Sequence, residues 1–268
     1  MLVEPVQTRL GRHRAYVPLA LIVLAIGLIY GSVLGFEYVW DDLQLFILSS
    51  ELRGPTLRLQ RIFEPILPAT TYFRPAVMLT FVLEFWLHGV SPAVSHAVNL
   101  LLFAANTWLV YVLASRMVRR LGGARPMMLG ACAAALYLLT PVQLESMAWV
   151  AGRFDLMCTL FVLLAFFAAV EIRRHVLANV LAATFFVLAL LCKEMAITFP
   201  VLLLLVTWAA HPSAARPDLL THMRQQWTQT RARWCYLGLG AGILVYLVVR
   251  VIAVPEFIHA DGVTRTLT

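Results

Sequence analysis

The chain has 268 residues, of which 61% are hydrophobic and only 13% are charged. Soluble domains are about 45–50% apolar and about 25% charged, so this composition excludes an ordinary soluble protein. It predicts an all-α protein that crosses the membrane several times. The net charge of +7 does not indicate a nucleic-acid partner, because the basic residues are spread over short loops, as membrane topology requires.

Apolar segments near or above the length needed to span a bilayer, about 17–25 residues, recur along the chain. The seven predicted spans are Val17–Phe36, Val94–Ser115, Met127–Val142, Phe154–Ile172, Val176–Cys192, Met195–Ala210 and Cys235–Val254. The first is interpreted as an uncleaved helix, because its apolar run is longer than that of a signal peptide. The four cysteines lie in or beside these segments and are interpreted as small buried hydrophobes, not as disulfides or metal ligands.

The loop arginines predict the orientation of the spans. With a cytoplasmic N-terminus, most basic residues fall in inside loops, and most acids fall in outside loops or at outside span ends. The sequence therefore predicts a multi-pass cell (inner) membrane protein with a cytoplasmic N-terminus and an extracytoplasmic C-terminus. The longest inside loop, residues 211–234, is basic and is interpreted as a positive amphipathic connector.

Two adjacent acids, Asp41 and Asp42, follow the first predicted span. Carboxylates at a membrane exit lie where a lipid-linked substrate presents its headgroup, and burial and mutual repulsion can turn one of them into a base. The alternative is structural: Asp41 caps a short helix from Asp42 to Ser50.

The first outside loop, residues 37–93, is long and rich in aromatic residues. Val77–Leu87, which contains Glu84, and Leu57–Phe63 are predicted as short helices lying along the membrane surface. Arg74 lies between aromatic residues and a proline in this loop. Its planar fork of donors suits phosphate, although an interfacial arginine also snorkels for structural reasons.

The next span carries His96, Asn99 and Asn106 on one helical face. Polar side chains within a span must face protein or water and not lipid. Helix–helix hydrogen bonding is the preferred interpretation of Asn106. His96, which lies nearest the outside end, is the candidate for a substrate contact.

Further charged residues are predicted at the same outside face. Lys193, the only lysine of the chain, adjoins Glu194, while Arg153 and Asp155 open another span and Arg250 lies near the outside end of the last. Such a cluster suits a phosphate-bearing, lipid-anchored substrate, with acids for proton transfer. Neither a nucleotide-binding signature nor a zinc-type His/Cys spacing accompanies it.

Several motifs together resemble the GT-C superfamily of membrane glycosyltransferases. The resemblance is greatest to the protein O-mannosyltransferase type that carries tetratricopeptide repeats and to its bacterial relatives, and it runs from about residue 36 to about residue 200. The motifs are Trp40-Asp41-Asp42, Tyr72-Phe73-Arg74-Pro75, His96-x-x-Asn99, Thr140–Asp155 and Cys192-Lys193-Glu194. Two positions depart from the family pattern: Thr140 stands where histidine is common, and Cys192 stands where serine is frequent.

The resemblance implies a polyprenyl-phosphate sugar as the donor and transfer on the extracytoplasmic side. It also implies that Asp41 is the catalytic base and Asp42 its partner, within a single GT-C-like module of residues 1–268 that has seven spans and two interfacial helices. Family members usually continue with further spans and often with a repeat domain, so the resemblance concerns a module without that C-terminal part.

The mechanism expected on this basis is inverting transfer, in which Asp41 takes the proton of an acceptor hydroxyl from a protein, glycan or lipid. The cations Arg74, His96, Arg153, Lys193 and Arg250 are the candidates to stabilise the leaving phosphate. Glu145 could instead act as the nucleophile of a retaining reaction. A divalent metal is compatible with the sequence but is not required by it.

Two other classes of function are also compatible with the sequence. A transporter or flippase for lipid-linked sugars would likewise place cations and aromatic residues at the interface, but it would be expected to carry mid-span acids. A non-catalytic membrane module, or one that depends on a partner subunit, would share the fold without the chemistry.

Overall fold

The computed structural model describes residues 7–48, 62–63, 72–211 and 216–254. Within these ranges the protein consists of helices and connecting loops, without strands. The α-helices are α1 (Gln7–Tyr30), α2 (Pro75–His88), α3 (Pro92–Arg120), α4 (Pro126–Leu139), α5 (Val142–Ala148), α6 (Arg153–Glu171), α7 (His175–Leu190), α8 (Phe199–Ala209), α9 (Leu219–Thr228) and α10 (Thr230–Ala253).

Four helical segments of the described chain are long and apolar enough to cross a membrane: Val17–Gly35, Pro92–Arg120, Val150–Glu171 and Thr230–Ala253. A fifth results if α4 and α5 are counted as one bent span. The protein is therefore an all-α, multi-pass membrane protein, as its composition predicts. The other two predicted spans correspond to shorter apolar helices, His175–Leu190 and Glu194–Ala209, so the number seven stays a prediction.

One predicted span, Met127–Val142, is interrupted. Helix α4 ends at Leu139 and α5 begins at Val142, with an angle of 61° between them. Pro141 at the break has no N–H to continue the ladder. The Thr140 hydroxyl donates to the Leu136 carbonyl at 2.6 Å and so occupies one of the last acceptors of α4.

The helices predicted within the first outside loop can be compared only in part. Helix α2 confirms the predicted helix Val77–Leu87 and begins two residues earlier, at Pro75, because proline suits a first helical position. The predicted helix Leu57–Phe63 lies outside the described residues except for its last two. Of the predicted helix from Asp42 to Ser50, the described part is helical and continues as a widened turn over Leu43–Leu48.

The chain divides into two compact units, which are described separately. The described parts of residues 1–37 and 92–152 form the first unit, in which α3 packs against α1 and α4. The Tyr30 hydroxyl donates to the Leu138 carbonyl at 2.6 Å and ties α1 to α4. Helices α3 and α4 approach so closely that a Cβ at Gly130 would lie 1.9 Å from Ser115 Oγ.

The described parts of residues 38–91 and 153–268 form the second unit, in which α7 packs against α6 and α10. Small side chains at the helix contacts permit close approach of the backbones, which is how helices associate in lipid. The fully buried alanines of α6 and α7 are Ala165, Ala168, Ala178, Ala182 and Ala189. Of the four cysteines, Cys158, Cys192 and Cys235 are buried, as predicted, whereas Cys132 of α4 is exposed, contrary to the prediction.

Candidate functional site

The acidic pair of the second unit lies on a strained turn. Trp40 has a φ of 52°, a left-handed conformation that is uncommon for a residue other than glycine. Asp41 follows it and is exposed, whereas Asp42 is completely buried. The Val39 N–H donates to Asp42 Oδ2 at 3.4 Å and the Asp42 N–H donates to the Val39 carbonyl at 3.0 Å. Strained backbone and widened helical turns such as Leu43–Leu48 concentrate at functional sites.

Aromatic packing holds this turn against α2. Phe46 is fully buried, and its ring centroid lies 5.3 Å from that of Tyr38, 4.7 Å from that of Phe81 and 5.1 Å from that of Phe85. Phe81 in turn meets Phe154 of α6 edge-on at 6.2 Å. The acidic turn, α2 and the start of α6 therefore share one packed aromatic cluster.

A buried ion pair lies beside the cluster. Arg153, the first residue of α6, is completely buried, and its Nη1 lies 2.8 Å from Glu84 Oε2. Its guanidinium carbon is also 4.1 Å from the centre of the Phe81 ring, and Nη1 donates to Thr80 Oγ1 at 3.4 Å. Asp42 lies within electrostatic range of this guanidinium. Arg153, predicted as a substrate contact, is thus held by Glu84, Thr80 and Phe81 of α2.

Glu84 was missed as a site residue by sequence reasoning, which treated it only as part of an interfacial helix. The signal was present, because a lone acid within an apolar helix needs a partner when it is buried. The sequence does not identify that partner, since Arg153 lies 69 positions away.

Three more predicted site residues meet around one carboxylate. Glu194 Oε2 lies 3.6 Å from Arg74 Nη2, and Glu194 Oε1 lies 3.4 Å from Arg250 Nη1. Arg250 also donates to the Tyr246 hydroxyl at 2.8 Å. Two guanidinium groups facing one carboxylate leave this trio, Arg74–Glu194–Arg250, with an excess of one positive charge.

Arg74 is placed by contacts on both sides. Its guanidinium carbon lies 5.0 Å from the centre of the Tyr72 ring and 4.7 Å from that of Phe154. The Ala76 N–H donates to the Leu191 carbonyl at 3.3 Å, which anchors the start of α2 at the end of α7. Within the part of the chain that the structure describes, the buried Arg74 Nε–H has no hydrogen-bond acceptor. An orphaned donor on a cation is what an anion site would leave before its ligand binds.

Lys193 forms an ion pair with Asp155 of α6. Three successive residues of the first turn of α6 thus make the principal contacts of the site. Arg153 contacts Glu84, Phe154 contacts Arg74, and Asp155 contacts Lys193. Residues separated by more than 100 positions are assembled because α6 begins, and α7 and α10 end, at the same end of the second unit.

The first unit holds the other two predicted site residues, His96 and Glu145. His96 is completely buried, and its Nδ1–H donates to the Met147 carbonyl at 3.1 Å. Asn99, one turn further along α3, donates to the Val150 carbonyl at 3.1 Å. Glu145 is exposed on α5.

These hydrogen bonds stabilise a tightly packed segment that follows α5 in the first unit. A Cβ at Gly152 would lie 2.6 Å from Ser146 Cα, so only glycine fits there. Asn106 hydrogen-bonds to Tyr137 of α4, which confirms the helix–helix contact predicted for it. His96 and Asn99 thereby fix the loop that follows α5, while a substrate contact of His96 and a nucleophilic Glu145 stay predictions.

Among the described residues, no group of three or more His, Cys, Asp or Glu side chains is arranged to hold a metal ion. Three acids of the second unit face arginine or lysine: Glu84 faces Arg153, Asp155 faces Lys193, and Glu194 faces two arginines.

Comparison with known proteins finds similar sequences among curated protein O-mannosyl-transferases. Tmtc1 of Drosophila melanogaster is 31% identical over 183 residues, which cover 63% of this chain and 20% of that protein. TMTC4 of Homo sapiens is 31% identical over 188 residues, which cover 60% and 25%. TMTC1 of Mus musculus is 30% identical over 155 residues, which cover 55% and 16%.

The chain therefore spans a quarter or less of the length of these curated relatives. No family model matches the chain, and no solved structure matches it. The similarity to protein O-mannosyl-transferases confirms the resemblance that the motifs carry.

Proposed function

We propose that this chain is the membrane-embedded catalytic module of an inverting glycosyltransferase. It moves a sugar from a polyprenyl-phosphate carrier to an acceptor hydroxyl at the extracytoplasmic face of the cell membrane. The relatives are named protein O-mannosyl-transferases, so mannose is the first sugar to test and a protein hydroxyl the first acceptor.

The observation that carries this proposal is the set of contacts made by the first turn of α6. Within the second unit, this turn contacts α2, which packs beside the acidic turn. It also contacts Arg74 and Lys193, two of the cations proposed to receive the phosphate. Charged groups are costly in a membrane protein and are arranged at sites that use them. A base on one side and cations on the other are the two requirements for displacing a phosphate from an anomeric carbon.

The proposed step is a direct displacement. Asp41 takes the proton of the acceptor hydroxyl as its oxygen bonds to the anomeric carbon, and the bond from that carbon to the phosphate oxygen breaks. The electron pair leaves with the polyprenyl phosphate. The exposure of Asp41 supports its role as the base, because an acceptor can reach it. Asp42, which is buried and hydrogen-bonded to the Val39 backbone, is suited to hold the turn in place.

The leaving phosphate is assigned to the Arg74–Glu194–Arg250 trio, with Lys193 beside it. The excess positive charge of the trio and the orphaned Arg74 Nε–H support this assignment. Donors already oriented by aromatic rings and by Glu194 need little reorganisation when charge develops on the phosphate oxygens.

A transfer assay tests the proposal. Membranes that contain the wild-type chain, Asp41→Asn or Glu37→Gln are supplied with radiolabelled polyprenyl-phosphate mannose and a protein acceptor, and donor binding is measured in parallel. We expect transfer by the wild type, loss of transfer with retained donor binding in Asp41→Asn, and near-normal transfer in Glu37→Gln. Glu37 is the matched control because it is an exposed acid four positions before Asp41.

The other outcomes separate the alternatives. Donor binding without transfer by the wild type would indicate a module that depends on a partner subunit. Movement of the donor between leaflets without transfer would indicate a flippase. Equal transfer by Asp41→Asn and the wild type would refute Asp41 as the base.

A further inference from the structure

A groove lies in the second unit at the end opposite the candidate site. It has a volume of about 670 Å³ and lies between the first turns of α7 and α10. The candidate site lies where these helices end, since Lys193 follows α7 and Arg250 is in the last turn of α10. The groove is therefore separated from the proposed catalytic residues by the length of the helices.

The walls of the groove are apolar and its mouth is polar. Val180 and Ala183 of α7 face Trp234 and Gly238 of α10 along its length. These helices include the span Thr230–Ala253, so the walls belong to the part of the protein that faces lipid. An apolar slot of this kind suits a hydrocarbon chain.

Arg231 occupies the mouth in a fixed position. Its Nη2 donates to the Ala169 and Ile172 carbonyls at 2.8 Å each, at the end of α6. The Asn179 side chain donates to the Arg231 carbonyl at 3.3 Å and joins α7 to α10. The charge of Arg231 therefore remains at the groove entrance.

Two more arginines, Arg173 and Arg174, lie in the turn that leads into α7 and are exposed. His175 follows them and lines the groove. The N-termini of α7 and α10 lack a side-chain cap, and the positive ends of their dipoles are directed towards the same region. A basic mouth above an apolar slot complements a molecule with an anionic head and a hydrocarbon tail.

We propose that this groove is a binding site for an anionic phospholipid. The headgroup phosphate lies among Arg173, Arg174 and Arg231, and one acyl chain lies along Val180 and Gly238. Free phosphate would use only the mouth, whereas the apolar walls provide the larger part of the contact area. The site is independent of sugar transfer, because none of its residues is assigned to the reaction.

Comparison with an apolar gap in the first unit shows why charged residues are needed to select a lipid headgroup. It has a volume of about 490 Å³ between α1, α3 and α4, and apolar side chains such as Leu21, Ala135 and Leu138 make up most of its lining. Such a gap does not distinguish one lipid from another. The groove between α7 and α10 has the charge that selects a headgroup.

Native mass spectrometry of the full chain in detergent tests the proposal, with phosphatidylglycerol and phosphatidylcholine as the probes. We expect the wild type to retain phosphatidylglycerol in preference to phosphatidylcholine. Arg173→Gln/Arg174→Gln should lose about tenfold in apparent affinity for phosphatidylglycerol, because each arginine near an anionic headgroup contributes to binding. The matched control, Arg119→Gln/Arg224→Gln, removes two exposed arginines elsewhere on the chain and should retain the preference.

A second variant tests the slot itself. A Cβ at Gly238 would lie 3.5 Å from Ala183 Cβ, an ordinary contact, so Gly238→Phe places its ring in the groove. This variant should lose retention of phosphatidylglycerol while unfolding at the wild-type temperature, and excess inorganic phosphate should not displace the lipid from the wild type. The proposal is overturned by equal losses in the control pair, by unchanged retention in Gly238→Phe, or by displacement with phosphate alone.

Discussion

The two units of this protein use polar side chains differently. In the first unit, His96 and Asn99 of α3 donate hydrogen bonds to backbone carbonyls around the α5 turn. In the second unit, arginines and a lysine contact acids, and one of these ion pairs is completely desolvated. Neutral hydrogen bonds are the usual means of joining helices in a membrane, whereas charges are costly and mark functional sites.

The comparison teaches where to look for chemistry. Both units contain buried polar side chains, so burial alone does not single out a site. The Arg153–Glu84 pair is weak evidence for stability, because desolvation offsets most of the attraction within a buried ion pair. Its position between the acidic turn and the cations is better explained by a requirement for fixed geometry.

The most direct test of this difference is to remove a carboxylate from the second unit and an amide from the first. We expect Asp41→Asn to lower the rate of transfer by about 10²- to 10⁴-fold, the range for loss of a general base. Asn99→Ala in the first unit should leave the rate per folded molecule near the wild-type value. Single-turnover rates measured on both purified variants at matched folded fraction test this, and equal losses would contradict the assignment of chemistry to the second unit.

The next largest effect is expected at the buried ion pair. Arg153→Leu should destabilise the protein by about 3–5 kcal/mol, because Glu84 is left as an uncompensated buried charge. Arg153→Leu/Glu84→Leu should recover most of that loss, since two apolar side chains replace the pair. Thermal unfolding in detergent measures both variants, and a double variant no more stable than Arg153→Leu would contradict the desolvation argument.

The trio offers a smaller effect on substrate affinity. Arg74→Gln and Arg250→Gln should each weaken donor binding by about tenfold, the equivalent of one charge-assisted hydrogen bond. Arg216→Gln, at an exposed arginine of the loop before α9, is the control with the same loss of charge. Equilibrium binding of a polyprenyl phosphate is the measurement. A similar loss in the control would indicate that net charge alone, and not the geometry of the trio, attracts the donor.

Loss of one interhelical hydrogen bond in the first unit should lower the free energy of unfolding. Asn99→Ala removes the donor to the Val150 carbonyl and should cost about 0.6–1.7 kcal/mol, the range for interhelical hydrogen bonds in membranes. Unfolding in detergent tests this value. A cost as large as that of Arg153→Leu would erase the distinction between the two kinds of contact.

The smallest expected effect is at a buried histidine inside the second unit. His222 of α9 is buried, and its ring contacts His211 at 3.2 Å and Thr207 of α8 at 3.2 Å. Burial, followed by the neighbouring His211, lowers the pKa of His222. The stability that it contributes is therefore present above the ordinary histidine pKa and is lost as the pH falls below it.

The hydrogen-exchange protection factors over residues 216–228, corrected for the intrinsic pH dependence of amide exchange, should accordingly decrease as the pH falls from about 7.5 to about 5.5, the range that brackets histidine titration. His222→Gln should remove this pH dependence. Asp218, which caps α9, should not contribute, because hydrogen bonds from Thr221 lower its pKa. A pH dependence that persists in His222→Gln would assign the effect to another group.

Sequence reasoning predicted the helices well because period and apolar length are local properties. It identified α2 and most of α3, α6 and α10 to within a few residues. It did not predict the break at Pro141, because Val142 was counted as the last residue of the apolar run that precedes the proline. It likewise did not predict the left-handed Trp40, since a strained φ is imposed by surrounding packing and not by the residue itself.

Sequence reasoning about the candidate site was likewise limited to local properties. Charged residues at span ends are visible in the sequence, and the structure brings Arg74, Glu194 and Arg250 together. Their pairing is not visible, because each contact joins positions far apart in the chain. Glu84 was therefore overlooked, as was its ion pair with Arg153, whose role as a substrate contact stays a prediction.

Because Lys193 is the only lysine of the chain, its selective modification can probe the candidate site without mutagenesis. Every other basic side chain among the lysines and arginines is an arginine, so Lys193 is the one side-chain amine that an acylating reagent can modify. Its amine is paired with Asp155 and only 23% exposed, which slows such a reagent until the pair opens. The acylation half-time of Lys193, followed by peptide mass so that the N-terminal amine is not counted, thus reports how often the proposed donor site opens and whether a bound carrier shields it.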